Sequence, residues 1–499
     1  MRRTTRRAVP HPAALLTLLA VSFAATPAAH AVVTGSEATV IVEATSATAA
    51  ANAVATAGGH VDLTLPIVDG VSAHVRPDAR ATLESDPTLH VIPDATLHPT
   101  GASFRAASTD TQISALDPPA GWSLDAGRGV TVALVDTGVT DTPDLHGSRL
   151  VRGPDLSGER DGIDHYGHGT FMAGLIAGDG TASSSATTRH LGVAPAATLV
   201  SVKVAGADGS SSVSRVIAGI GWVVGHRDAY DIGVLDLSFG VDAPMPYWNN
   251  PLSAAVEAAW ASGISVVVSA GNDGAGHVTS PGSDPYVITV GAADTAGTAS
   301  TTDDVVPAWS GTERFHGYSK PDVVAPGVSV VSLRAPASTI DVTHPEGRID
   351  DVYFRGSGTS MSSALVSGAA AVLLSHHPAA TPDDIKGALV DGAAKLAGGA
   401  RAIDLDRADH AEPRPAWWQH YRVAFDGLGR GLDHGMPWTA SRWTASRWTA
   451  SRWTATRWTA TRWTDSEWAA SRWTASRWTA SRWTASRWTA EAWPSLGWG

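Results

Sequence analysis

Cysteine is absent from the 499 residues, which excludes disulfide bonds and thiol chemistry alike. Without disulfides, stability has to come from packing, from a bound metal or from a high barrier to unfolding. Basic residues are also scarce: 36 Lys and Arg stand against 48 Asp and Glu, a formal net charge of −12. Arg2, Arg3, Arg6 and Arg7 leave residues 32–499 at −16, and nine Arg against three acidic residues make 438–499 +6, so residues 32–437 carry −22. An acidic body argues against a nucleic-acid binder as a whole, because phosphate recognition needs a net positive face on the folded domain. The basic tail is free to fold back on that body, more weakly as salt rises. Beyond the N-terminal region no apolar run reaches the length of a transmembrane helix.

The two ends carry their own patterns. Four Arg among the first seven residues, an apolar stretch over 13–25 and Ala29-His30-Ala31 make the charged region, short hydrophobic region and A-x-A cleavage site of a secretory signal peptide, residues 1–31. Arg6-Arg7 raises twin-arginine export, without the hydrophobic motif that would follow it. At the other end, tryptophan recurs every five residues from Trp438 to Trp498, mostly as Trp-Thr-Ala-Ser-Arg. Successive indoles would advance about 140° on a helix and would alternate faces on a strand, so neither period fits. An extended ribbon and a pentapeptide-type solenoid remain, and an indole is large for the inward position of the latter. Indoles alternating with Arg suit stacking on sugar rings or interfacial lipid, with cation–π pairing inside the array. The expectation is a tail (438–499) that retains the chain at cell-wall glycan or another envelope surface; the other reading is a low-complexity spacer without a ligand. Residues 408–437, with Pro413, Pro415 and several Gly, read as a linker.

Three short segments place an acid, a base and an oxygen nucleophile beside small residues: Val135-Asp136-Thr137-Gly138, Gly167-His168-Gly169-Thr170 and Gly358-Thr359-Ser360-Met361. Nucleophilic acyl transfer needs all three, since a serine hydroxyl attacks poorly unless an imidazole takes its proton and a carboxylate orients the imidazole. Singly, each also fits a strand-ending turn, a surface loop or a helix N-cap. Their surroundings favour the joint reading. Residues 130–135 are a β-branched apolar run expected as a strand buried on both faces, with Asp136 at its end. Residues 170–177 and 361–375 are apolar all round with small residues interspersed and predict two buried helices, starting just after His168 and just after Ser360. A serine at a helix N-terminus sits where developing negative charge is favoured.

These segments, together with Gly192-Val-Ala-Pro, Leu235-Asp236-Leu237-Ser238-Phe239-Gly240, Ser269-Ala270-Gly271-Asn272-Asp273-Gly274 and Pro321-Asp322-Val-Val-Ala-Pro-Gly327, resemble the subtilisin-like serine peptidases over residues 110–407. The resemblance implies an α/β fold, a mostly parallel central sheet with helices on both faces, over residues 104–407. It implies catalysis by Asp136, His168 and Ser360, with the Asn272 amide and the Ser360 backbone N–H holding the oxyanion. A neutral carboxamide donor suits that task, and losing one such donor typically costs about 2.7–4 kcal/mol in the barrier. Substrate is expected as an extended strand between the Ser238-Phe239-Gly240 and Ala270-Gly271 edges, read mainly through main-chain hydrogen bonds. The small residues near Gly240 and Gly271 predict room for a sizeable side chain at the first subsite.

Residues 32–103 resemble the family's propeptide: strand-like 39–43, an Ala-rich helical stretch to Ala57, then Gly58-Gly59-His60-Val61 and 71–75. A small α+β domain is implied that docks on the catalytic sheet and leaves its C-terminal tail in the cleft. Two departures stand out. The chain reads Ser360-Met361-Ser362-Ser363-Ala364-Leu365 where relatives carry a proline at 364, which predicts a more regular first turn and leaves room for weakened catalysis. The loop over 178–191 does not resemble the family's calcium-binding loop; Asp144 matches one ligand, and calcium wants six to eight oxygens. No cofactor and no catalytic metal are expected. The sequence thus predicts a secreted serine endopeptidase, self-processed from a proenzyme, acting on polypeptides with its own propeptide as a partner. A weakened peptidase fold working as an envelope-binding adhesion protein through its tail is the alternative.

Overall fold

A computed structural model describes residues 37–100, 112–183, 189–241, 246–412, 416–421 and 423–424. The described residues belong to one compact unit. The signal region and the tryptophan repeat lie outside the described residues, as does the expected propeptide boundary at 103.

The first part is a four-stranded antiparallel sheet of order β2-β3-β1-β4, built from β1 (Ala38–Glu43), β2 (His60–Leu65), β3 (Gly70–Val75) and β4 (His90–Pro93), with helices α1 (Ala47–Thr56) and α2 (Pro77–Glu84). Strand alternation sorts its side chains. Val40 and Val42 join Val54, Val71, Val75 and Leu83 in a core of the small domain's own. Ile41, on the opposite face, packs instead into the main core together with Leu65 and Val68. The turn Pro66–Val68 and β2 meet α4 (Val213–Gly225), and the turn also meets α5 (Pro251–Ala261). Asp94 closes the contact: its carboxylate accepts from the Ser214 N–H at 2.9 Å, in the first turn of α4. The chain then leaves the small sheet as β5 (Thr96–Pro99).

The second part is a nine-stranded sheet of order β19-β20-β16-β13-β12-β10-β6-β8-β7, parallel except at the β19–β20 edge. Its strands are β6 (Thr131–Asp136), β7 (Leu150–Asp155), β8 (Thr198–Lys203), β10 (Ile232–Leu237), β12 (Ser265–Ser269), β13 (Ile288–Ala293), β16 (Val323–Pro326), β19 (Ala394–Lys395) and β20 (Arg401–Ala402). Short pieces complete the set: β9 (Ser211–Ser212), β11 (Phe239–Gly240), the hairpin β14 (Glu313–Arg314) and β15 (Ser319–Lys320), and the pair β17 (Val330–Leu333) and β18 (Tyr353–Gly356). Every residue of β6 is buried, as a strand covered on both faces requires. Helices α3 (His168–Ala177) and α7 (Thr359–His376) pack on one another, as do α4 and α5. Because the central strands are parallel, the ends of β6, β10 and β12 lie at one edge, and that edge collects Asp136, Ser238 and Asn272.

Both predicted buried helices form, each slightly earlier than expected. His168 is the first residue of α3, entered through Gly167 at φ 108°, and Ser360 lies within the first turn of α7. With Ala364 in place of proline, α7 runs unbroken for 18 residues. Beyond α8 (Pro382–Gly392), helix α9 (Leu405–Asp409) straddles the boundary expected at 407. Part of the expected linker is also bound to the body. Trp418 is buried with its indole N–H donating to Asp383 at 2.7 Å, Tyr286 donates its hydroxyl to the Tyr421 carbonyl at 2.7 Å, and the Ala424 N–H donates to the Glu257 carboxylate at 2.9 Å.

Candidate active site

Asp136 ends β6 and His168 starts α3, and the two side chains meet: His168 Nδ1 lies 2.9 and 3.0 Å from the Asp136 carboxylate oxygens. Close approach of the two segments depends on Gly169, where an added Cβ would fall 2.1 Å from the Gly138 carbonyl oxygen. Both side chains are buried, His168 at 3% exposure. Burial alone would lower the imidazole pKa, but the Asp136 charge and hydrogen bond, with Asp164 and Asp236 behind it, leave it above the ordinary 6.5. His168 Nε2, the nitrogen a general base would use, is buried and has no hydrogen-bond partner among the described residues.

Ser360 is turned elsewhere. Its hydroxyl donates to the carbonyl oxygen of Thr100 at 2.7 Å and lies 2.8 Å from the Thr100 hydroxyl. Thr100 is where β5 delivers the chain: β5 pairs antiparallel with β11, through Phe239 and Gly240, and antiparallel with β9. The Thr100 N–H then donates to the Ser238 carbonyl at 3.0 Å, and the Ser360 N–H donates to the Thr100 carbonyl at 3.3 Å. Asn272 accepts from the Thr359 N–H at 3.0 Å, which only its carbonyl end can do, so Nδ2 is left for the cleft of about 460 Å³ lined by Thr100, Gly240 and Asn272. A cavity of about 120 Å³ with mixed lining adjoins His168 and Met361, where Phe171, Leu333 and Phe354 face Arg334, Asp341 and His344.

The chain's own strand β5 has Phe239-Gly240 on one side and Ser211–Ser212 on the other. The Ala270 N–H and C=O are paired with Val290 and Thr279, and the Gly271 N–H donates to the Thr359 hydroxyl at 3.1 Å. Gly240 borders the cleft of about 460 Å³ together with Thr279, and a side chain at either glycine would crowd Thr279: a Cβ added at Gly240 would meet its Oγ1 at 2.3 Å, and one at Gly271 would meet it at 3.0 Å. The Thr100 side chain beside them is held by polar contacts, with Oγ1 2.5 Å from Ser269 Oγ.

Several supporting residues carried weak sequence signals. Asp164 accepts from the Gly167 and Thr170 N–H groups, both at 2.7 Å, and so caps the helix that begins with His168; an Asp just ahead of a helix start is a recognisable cap pattern. It also accepts from the Thr137 hydroxyl at 2.7 Å, tying that cap to the residue after Asp136. Buried Lys203 donates to the carbonyls of Thr137 at 2.8 Å and Ile163 at 2.6 Å, joining β8 to the segment after Asp136 and the segment before His168. Thr100 has no marker in the sequence, and Ser269 is visible only as the first residue of the Ser269–Gly274 segment.

The oxygens that a calcium ion would need at Asp144 are occupied. One carboxylate oxygen accepts from the Ala182 N–H at 2.7 Å and the other from the Tyr353 hydroxyl at 2.6 Å. The Arg149 guanidinium holds the Ala177 carbonyl at 2.9 Å, the Asp144 carbonyl at 2.5 Å and the Asp179 carboxylate at 2.8 Å. These residues do not fit a calcium site. Glu159, Asp161 and His165 cluster at the surface, but Glu159 pairs with Lys203 at 2.9 Å and Asp161 with His165 at 2.8 Å.

An imidazole–carboxylate pair beside a serine at a helix N-terminus, all at the carboxyl edge of a parallel sheet, suits acyl transfer through a serine nucleophile. The family profile of the subtilases matches residues 127–410. The chain is 41% identical over 279 residues to serine protease AprX of Bacillus subtilis (strain 168), covering 54% of this chain and 62% of AprX. It is 32% identical to an alkaline protease of Shouchella clausii over 337 residues, 67% of this chain and 75% of that protein, and 34% identical to subtilisin Savinase of Lederbergia lenta over 295 residues, 58% and 93%. The fold is shared with fervidolysin from Fervidobacterium pennivorans, a keratinolytic enzyme related to subtilisin, at a TM-score of 0.59 and 23% identity over 76% of this chain and 61% of that one. The chain belongs to the subtilase family, the serine peptidases of the subtilisin type. It spans less than two thirds of the length of AprX. No helix among the described residues is long and apolar enough to cross a membrane.

Proposed function

We propose that this chain is the self-inhibited precursor of a secreted serine endopeptidase, with residues 32–100 as its propeptide, and that it cuts itself after Thr100. The Thr100 carbonyl carries the proposal, because its oxygen meets both the Ser360 N–H and the Ser360 hydroxyl while the strand behind it fills the groove. In catalysis Ser360 Oγ attacks the carbonyl carbon of the scissile bond and His168 Nε2 takes the hydroxyl proton. Asp136 stabilises the imidazolium, and the Ser360 N–H and Asn272 Nδ2 stabilise the oxyanion. The amide bond breaks as His168 passes the proton to the leaving amine, and water, activated by the same imidazole, releases the acyl group. Polypeptides are the substrates, bound as a strand between Ser238-Phe239-Gly240 and Ser211-Ser212. The cleft bordered by Gly240, Asn272 and Thr279 takes the side chain before the scissile bond, and the cavity beside His168 takes the one after it.

N-terminal sequencing of the protein made with and without Ser360→Ala tests the reading. A new terminus at Gly101 in the wild type and an uncut Ser360→Ala chain are expected; identical termini in both would overturn self-processing. The signal pattern at 1–31 supports secretion, and envelope retention through the tail is the role we propose for residues 438–499. The adhesion alternative gains no support, since the His168–Asp136 pair is formed.

A further inference from the structure

Beneath the nucleophile lies a carboxylate that the triad leaves unused. Asp236, on β10 two residues before Ser238, is fully buried. Hydroxyl groups surround it: Ser367 donates to Oδ1 at 2.7 Å and Ser363 to Oδ1 at 3.2 Å, and Ser238 Oγ lies 3.3 Å from Oδ2. Ser363 and Ser367 stand four residues apart on α7, on one face of the helix and directly after the turn that carries Ser360. Ser363 Oγ also lies 2.6 Å from Ser238 Oγ and 3.1 Å from the Ser360 carbonyl oxygen. Ser238 is the residue whose carbonyl accepts the Thr100 N–H. One carboxylate therefore joins the edge that holds the strand in the groove to the helix that holds the nucleophile.

On another face α7 is held by the Ser362 hydroxyl, which donates to the Ala325 carbonyl at 3.0 Å. The first half of α7 reads Thr-Ser-Met-Ser-Ser-Ala-Leu-Val-Ser-Gly, mostly small side chains that let helix and sheet approach closely but interlock weakly. A carboxylate accepting from two hydroxyls on one helix face has a directional preference that dispersion contacts lack. Removing a carboxylate from water is costly, and burial lifts the Asp236 carboxyl from 3.8 to about 7, against the Ser367 and Ser363 hydrogen bonds that pull it down. The charged groups around it are Asp136 from β6, which raises it further, and His168 from α3, which lowers it. Helix α7 turns only hydroxyls toward it, and β12 beside it has no charged residue.

We infer that Asp236 is a positioning residue for the reaction: as a carboxylate it locks the rotation of α7 to the Ser238 edge, and so holds the Ser360 hydroxyl in register with the bound carbonyl. Once protonated, it must donate to one of the hydroxyls it otherwise accepts from, and the lock loses a bond. The inference rests on the reading of Ser360 as the nucleophile. Two protons then govern the loss of activity on acidification, one on His168 and one on Asp236.

The test is kcat and KM against pH on a peptide anilide, for the processed wild type, Asp236→Asn and Ser367→Ala, each normalised by fluorophosphonate titration of Ser360. The wild type is expected to lose kcat/KM on its acid side more steeply than one proton allows. In Asp236→Asn that limb should be single-proton and lie roughly half a pH unit lower, because a negative charge near His168 is gone. Plateau kcat should fall by about tenfold with KM little changed, the pattern of an interaction that acts on the reacting geometry. Ser367→Ala should lower kcat and keep the steep limb. Superimposable profiles and equal kcat in Asp236→Asn overturn the inference; if that variant does not fold, unchanged kcat in Ser367→Ala does so instead. A wild type that neither labels nor hydrolyses overturns the nucleophile assignment beneath it, which the same titration distinguishes.

Discussion

His168 works as a base only when neutral, and its surroundings hold its pKa above 6.5. Activity is thus expected to fall as pH drops through that raised value and to be flat above it; an acid limb centred below pH 6 would contradict the Asp136 and Asp236 contributions. Asn272→Ala is expected to lower kcat by about 10²–10³ with little change in KM, since its amide is asked to meet charge that exists only in the transition state. Thr279 sits over both Gly240 and Gly271, so Thr279→Gly should raise kcat/KM for substrates with Phe before the scissile bond relative to those with Ala or Thr. Peptide libraries read that ratio directly, and an unchanged ratio would remove Thr279 from the subsite. Of these residues, Asp136, His168, Ser360 and Asn272 stand out in the chain because each needs small neighbours for backbones to approach, and those neighbours are visible as glycine or short side chains. Thr279 and Asp236 carry no such mark: their importance comes from which side chains the fold brings over them.

Among elements, strands and helices with long apolar runs are readable, whereas the groove is made of pieces two residues long. β9 and β11 are too short for any periodicity to register, so the pairing of β5 with Ser211–Ser212 and Phe239-Gly240 is visible only in the fold. The turn that holds Asp144 illustrates the converse, a site whose residues look partly right for a cation and whose oxygens are taken by Arg149, Tyr353 and a backbone N–H. Thermal unfolding is therefore expected to be the same in EDTA as in millimolar calcium. Arg149→Ala should destabilise the fold by about 1–2 kcal/mol, the scale for charge-assisted hydrogen bonds that are largely shielded from water. A large calcium-dependent rise in Tm would show that a cation binds after all.

At the scale of the whole chain, the indole at 418 and the backbone at 424 are fastened to the body, so a cut at 409 would strip away packing as well as the repeat. Truncation after Ala424 is the cleaner comparison. Binding to purified cell walls is expected to be lost in that variant with peptidase activity retained, and equal recovery of both forms would discard a retention role for the repeat. The small N-terminal domain raises a different matter. Ile41, Leu65 and Val68 share the main core, and Asp94 caps α4, so breaking a single peptide bond after Thr100 leaves all of these contacts in place. Fresh cleavage then yields a tight two-piece complex, silent until the smaller piece departs or is digested. The time course of activity after secretion would show a lag whose length tracks that dissociation, and the first liberated molecules would hasten the rest.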